Sequence, residues 1–329
     1  MVIRHKKAIV LLGIVLVAIS LSMIACKRRG PAPTRETGTP VSQSKTKATE
    51  IPAIPTSETY SLIRTLDVGM PSPKGIALGG ERTILIAGAS GIGILDFDGN
   101  MQKMIPTPAP ATCVAVDAEG NAYAGLSKQV IKYNPGGERV AAWGRPGKGD
   151  GELDEVTGIA ISGNNVFLAD AGNQCVHYFE SDGRFVNDIG KRDPSVEGAG
   201  IICPSPYLDC AVDADGILHV VNPGRSRVER YRPDGRMIGF WGEGGMREDQ
   251  FFGCCNPTNI ALAPGGRIVV SEKKMIRVKV CDSNGKMLAL IGALRFSAKA
   301  DGMDLAADEK GRLFVLDHGD GKIKVFEKQ

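Results

Sequence analysis

The side chains best equipped for chemistry in this 329-residue chain are its eight cysteines. Three stand in unusual contexts: Cys203, within Ile-Ile-Cys-Pro-Ser-Pro-Tyr-Leu-Asp209, and the adjacent pair Cys254-Cys255, followed by Asn256-Pro257. Thiols placed this way can oxidise, Cys203 to one of the pair or Cys254 to Cys255. They can also hold a metal, a haem or a redox partner, or stay inert. The spacing is not the doubled C-x-x-C of a zinc site. No Gly-x-Ser-x-Gly elbow and no phosphate-binding loop occurs.

These residues sit in a repeat. From Tyr60 onward one unit recurs: a strand with a small residue at its centre, an acidic-glycine turn, a hydrophobic strand, a polar turn, a strand ending in an aromatic, and a further Asp/Asn-Gly turn. The central small residues are Ala77, Ala115, Ala160, Ala211, Ala261 and Ala306, 38 to 51 residues apart. Six copies of this length, each with about four strands, predict an all-β, six-bladed β-propeller. The sixth copy stops after Phe326 without its fourth strand, and Tyr60–Val68 alternates like one. An N-terminal strand is therefore expected to close the ring and leave no open edge.

On this frame Cys203, Cys254 and Cys255 fall in loops that lead into adjacent innermost strands, at one mouth of the channel. Two matching turns, Asn222-Pro-Gly-Arg225-Ser-Arg227 and Ser271-Glu272-Lys273-Lys274 with Arg277, add basic groups near that rim. They read as solvated turns with a structural Arg, or as a surface for an anionic ligand or partner. The candidate binding set is Cys203, Cys254, Cys255, Asn256, Asn222, Arg225, Arg227, Glu272, Lys273 and Arg277. Cys113, Cys210 and Cys281 read as small buried hydrophobes. His177, His219 and His318 lie at unrelated offsets (+7, −3 and +1) from the ends of their second strands, so they do not form a metal-binding ring. His219 replaces Phe167 in register and reads as a core residue. No catalytic residue, metal or cofactor is assigned.

The N-terminus has another character. Met1–Lys7 is basic, Ala8–Ile24 is almost unbroken apolar sequence, and Met23-Ile24-Ala25-Cys26 resembles a lipobox whose Cys26 would be acylated. An uncleaved membrane helix is the competing reading. Lys27-Arg28-Arg29 opposes easy export, and the leader charges offset it. Residues 1–26 are thus expected to be a signal or anchor, and 27–58, rich in Pro, Ser and Thr, a disordered linker. The propeller would span 59–329, on the extracytoplasmic side of a bacterial envelope. Residues 1–58 carry nine Lys/Arg and three Glu, leaving 31 of 40 basic and 34 of 37 acidic side chains in the remainder. The repeat region is mildly acidic, which argues against a nucleic-acid partner; the basic segment suits anionic lipid.

The copies resemble the NHL-repeat family in Gly158-Ile-Ala-Ile, Val166-Phe-Leu-Ala-Asp170, Arg227-Val with Tyr231, and most closely Trp143-Gly-Arg-Pro-Gly-Lys-Gly-Asp-Gly-Glu-Leu153, whose start returns at Trp241-Gly242. The resemblance covers about residues 60–329. It implies an NHL-type propeller and leaves function open, since such propellers serve as scaffolds, lyases and hydrolases. Within the family, Cys254-Cys255-Asn256-Pro257, Ser271-Glu272-Lys273 and Asn222-Pro-Gly-Arg225 resemble a bacterial envelope subgroup. The expected function is a membrane-tethered scaffold, favoured over an enzyme, for a protein, peptide or glycan. The alternatives are a redox- or metal-linked envelope protein using Cys203, Cys254 and Cys255, and a propeller lyase or hydrolase.

Overall fold

Alternating Val, Ile, Leu and Phe between Asp-Gly turns bury one side of a strand against each neighbour. Six such hairpin units pack around an axis in the computed structural model, which describes residues 53–193, 195 and 199–329. The hydrophobic segment at 1–26 and most of the 27–58 linker lie outside the described residues.

Each blade is a four-stranded antiparallel sheet. Blade one comprises Gly75–Gly79, Thr83–Gly88, Gly91–Asp96 and Met101–Ile105, and blade two Cys113–Val116, Ala122–Leu126, Gln129–Tyr133 and Arg139–Trp143. Blade three comprises Val156–Ser162, Asn165–Asp170, Cys175–Glu180 and Phe185–Ile189, and blade four Cys210–Val212, Leu218–Asn222, Arg227–Tyr231 and Met237–Trp241. Blade five comprises Ile260–Ala263, Arg267–Glu272, Arg277–Cys281 and Met287–Ile291. Blade six takes Met303–Ala307, Leu313–Asp317 and Lys322–Lys328 from the C-terminus and its outer strand from Tyr60–Asp67, paired from Tyr60↔Lys328 to Asp67↔Lys322. Just before that strand, Glu58 is clamped by Arg267 at 2.6 Å and Lys328 at 2.9 Å. The Arg267 guanidinium holds the Glu58 carboxyl down to about 2.

The six Ala positions have a common cause. Each lies opposite a residue of the second strand: Leu85, Tyr123, Phe167, His219, Val269 and Phe314. A small residue leaves room for the large one across the ladder. Apolar clusters then join blade to blade. Leu85 and Ala87 pack with Ala122 and Ile131, and Tyr123 and Trp143 with Val166 and Phe179. Phe167 packs with Leu218 and Val270, Val269 with Val315 and Phe326, and Ile84 with Phe314. No blade buries its faces alone, which is the general condition of a repeat fold.

Antiparallel alternation sends two kinds of connection to opposite ends. One end carries tight turns whose Asp accepts the backbone N–H groups two and four residues on, as Asp117 does from Glu119 and Asn121 and Asp213 from Asp215 and Ile217. Gly120 and Gly216 complete these turns at φ +80° and +74°. The other end carries the second-to-third-strand turns and the blade-to-blade connections. This end includes the long segments leading to blades three to six, and every member of the sequence-derived binding set lies on or beneath it.

Candidate functional site

The long segments are fixed from below by one recurring device. The last residue of the second strand is buried in blades three to six: Asp170, Asn222, Glu272 and Asp317. Each accepts a backbone N–H of the segment entering its blade. Asp170 takes Asp154 and Glu155 at 2.8 and 2.9 Å, Asn222 takes Ile202 at 3.1 Å, Glu272 takes Phe252 at 2.9 Å, and Asp317 takes Ser297 at 2.7 Å. Seven residues on, in the third strand, a buried polar partner answers each: His177, Glu229, Lys279 and Lys324. His177 Nε2 lies 3.4 Å from Asp170, and its Nδ1 2.6 Å from Asp188. Asn222 donates to Glu229 at 2.9 Å, and Glu229 is neutralised by Arg227. Lys279 meets Glu272 at 2.8 Å and also donates to the Gln250 carbonyl. Lys324 pairs with Asp317 and Asp320.

Burial opposes charge on His177, but the Asp170 and Asp188 hydrogen bonds outweigh it and push the imidazolium up to about 11. Cys175 and Asp188 have donor atoms within 4.8 Å of this ring and could join His177 around a metal. The 2.6 Å Nδ1–carboxylate contact, the matching pairs in three other blades and Lys191 at 2.6 Å from Asp188 make the arrangement an ion-pair network.

At the channel mouth Tyr207, from the segment entering blade four, reaches blade six. A Cβ on Gly302 would lie 2.6 Å from its ring and 2.9 Å from His318 Nδ1. Lys273 of blade five sits 4.9 Å over the Tyr207 ring. Burial, with Asp301 nearby, pushes the phenol up to about 12. His318 donates from Nε2 to the Lys74 carbonyl at 2.8 Å, and burial pushes the imidazole down to about 4. Among the described residues its Nδ1 has no partner.

Beneath the mouth the residues two before each central Ala form a ring: Gly75, Cys113, Gly158, Asp209, Asn259 and Asp304. Contacts between adjacent blades link the ring. Gly75 lies against Cys113 and Gly158 against Asp209. Asp209 accepts the Ile260 N–H at 3.0 Å, Asn259 donates to Asp304 at 3.1 Å, and Asp304 accepts the Ile76 N–H at 2.7 Å. Thr112 closes the blade two–three gap by donating to the Val156 carbonyl at 2.7 Å. Burial raises both acids, Asp304 to about 6 and Asp209 well above the usual range, and the Asp304 charge adds to the rise at Asp209.

The structure redistributes the sequence-derived binding set. Asn222, Asn256, Glu272 and Arg277 are buried and carry loop-anchoring hydrogen bonds, so they support the surface from within. Asn256, for example, donates to the carbonyls of Phe252 and Lys273 and accepts the Lys273 N–H. Arg227 stacks 4.1 Å over Phe240, and Arg225 donates to the Gly200 carbonyl. Cys203 turns into its own loop, where its thiol donates to the carbonyls of Ser205 and Tyr207; burial pushes it up to about 11. Cys254 and Cys255 meet each other instead, as thiols with Sγ atoms 3.3 Å apart. The Cys255 hydrogen bond, helped by Lys274 and Lys273, lowers the Cys254 thiol, while burial and that same bond raise Cys255. Cys113, Cys210 and Cys281 are buried, as is His219, which pairs with Asp213 at 3.0 Å. Of the anchoring partners at +7 the sequence drew attention only to His177, and not in this role; Glu229, Lys279, Lys324 and the axial trio Asp209, Asn259 and Asp304 were not singled out. Their fixed offsets from the strand end and from the central Ala are the signal that could have found them.

The chain is thus a six-bladed β-propeller with its elaborated loops on one face, and comparison with known proteins agrees on that class. It shares 25% identity over 154 residues with Protein brain tumor of Drosophila melanogaster, a match covering 46% of this chain and 14% of that protein. A structural genomics protein of unknown function from Bacteroides thetaiotaomicron superposes with a TM-score of 0.61 at 15% identity, covering 84% of this chain and 77% of that one. Virginiamycin B lyase from Staphylococcus aureus superposes at 0.57 and 14% identity, covering 82% and 99%. No family model matches the chain.

Replacing His177→Asn leaves Asp170 and Asp188 without their shared cation. The expected loss is about 3–5 kcal/mol in denaturant unfolding. Because the folded imidazole titrates near 11 rather than 6.5, its contribution is complete below pH 6.5 and declines as pH rises toward 11. The gap between wild type and variant should therefore narrow from pH 7 to pH 10; a constant gap would show that His177 is not held as the cation.

Proposed function

We propose that this protein is a membrane-tethered, extracytoplasmic propeller of NHL type that binds a protein, peptide or glycan partner on its long-loop face. The observation that carries the binding role is at one end of blade five. Met246, Met275 and Leu294 are exposed there on three separate segments, with Lys274 and Arg295 also exposed. Large apolar side chains in water, bordered by charge and held on anchored loops, are the makings of a partner surface. The tether rests on the sequence: the apolar run Ala8–Ile24, the lipobox-like Cys26 and the polar linker. The NHL kinship rests on the repeat motifs, with which the propeller fold is consistent.

The test uses the full chain extracted in detergent. The combined variant Met246→Asp, Met275→Asp and Leu294→Asp is expected to lose the neighbours that cross-link to the wild type in the envelope, with stability unchanged within about 0.5 kcal/mol per site. An unchanged set of cross-linked neighbours would remove the face from consideration.

The adjacent thiols support a second reading, a redox- or metal-linked role for Cys254 and Cys255. Titration of thiols with and without reductant, alongside metal analysis of the same preparation, decides it. Two reactive thiols gained on reduction, or a thiolate-bound metal, would support it; two free thiols without metal would end it.

A further inference from the structure

The axial ring contains two acids that no cation among the described residues answers. Asp209 is buried, Asp304 is partly so, and among the described residues neither has a Lys, Arg or His partner. Every other strongly buried carboxylate discussed above has one: Asp170 has His177, Glu229 has Arg227, Glu272 has Arg277 and Lys279, and Asp317 has Lys324. Two carboxylates enclosed together are costly unless something positive lies between them.

A second observation points to what that is. Asn259 is only 7% exposed, its Nδ2 donates to Asp304 at 3.1 Å, the next residue's N–H donates to Asp209 at 3.0 Å, and among the described residues its Oδ1 has no hydrogen-bond partner. The two ends of an amide exchange by a half-turn of the terminal torsion, and that turn would bring a third oxygen to the carboxylates. Asp209 accepts from the Cys210 and Ile260 N–H groups, and Asp304 from the Ile76 N–H. The backbone therefore holds both acids in place while lone pairs remain on each.

We propose that the ring is a binding site for a hard divalent cation, Ca²⁺ or Mg²⁺, held by the carboxylates of Asp209 and Asp304 and the amide oxygen of Asn259. All three donors are oxygens, the set such ions prefer, with water completing the shell. The ion would join blades four, five and six at the axis.

The experiment starts from full-length protein in detergent, stripped with EDTA and titrated with CaCl₂ and, separately, MgCl₂ by calorimetry and thermal melting. One equivalent is expected to bind and raise the melting temperature. Asp304→Asn and Asp209→Asn should each weaken binding by more than about tenfold and, by relieving the repulsion, melt higher than the stripped wild type. Their melting curves also show whether they fold; if neither does, Asn259→Ala replaces them. A stripped wild type that binds neither ion at millimolar concentration would overturn the proposal. Variants that bind as the wild type does would overturn it equally, by placing the ion elsewhere.

Discussion

The buried side chain that ends the second strand is the interaction on which the elaborated face depends. A propeller needs long connections on one end to build a surface, yet backbone N–H groups in such connections lose strand partners. Asp170, Asn222, Glu272 and Asp317 each supply an acceptor from beneath, at a position rigid because it belongs to a central strand. The device appears where it is needed. Blades three to six receive segments of eleven to twenty residues between strands and have the polar anchor. Blades one and two receive only seven, and the same pair of positions holds Gly88 with Gly93 and Leu126 with Ile131.

Burying an acceptor strong enough to hold a loop creates an electrostatic debt, which the third strand settles. His177, Lys279 and Lys324 are cations at one structural position. Blade four reverses the polarity, with a neutral Asn222 above an anionic Glu229 that is matched by Arg227 and receives the Tyr231 hydroxyl. What repeats is the balance of charge rather than residue identity. The axial ring departs from this rule, since Asp209 and Asp304 have no such partner among the described residues, and this sets the ring apart from the structural ion pairs.

Much of this fold was legible in the sequence because its signals are local and periodic. Six alanines at blade-like spacing and Asp-Gly turns place the strands, and the placement of the candidate loops at one end follows from alternation. The site was legible only in part. Cys254 and Cys255 do meet, but Cys203 bonds to its own loop, an outcome set by how Cys203–Tyr207 curls. Arg277 and Glu272 look like surface charge in sequence and are interior, because they pair with each other and with a loop 20 to 27 residues upstream. The three histidines are inequivalent in their offsets from the strand ends. Comparing His177 with Lys279 and Lys324 would have revealed the shared position, but only if charge balance, not residue type, were taken as the repeating quantity.

The account predicts that certain amides in surface segments behave as though they belonged to the sheets. Hydrogen exchange of the wild-type protein, resolved to single residues, tests this directly at Glu155, Ile202, Phe252 and Ser297. These N–H groups should exchange as slowly as those of the neighbouring strands, while unanchored amides in the same connections exchange quickly. Exchange at all four close to the rate of an unstructured chain would contradict the claim that buried second-strand side chains hold the functional face.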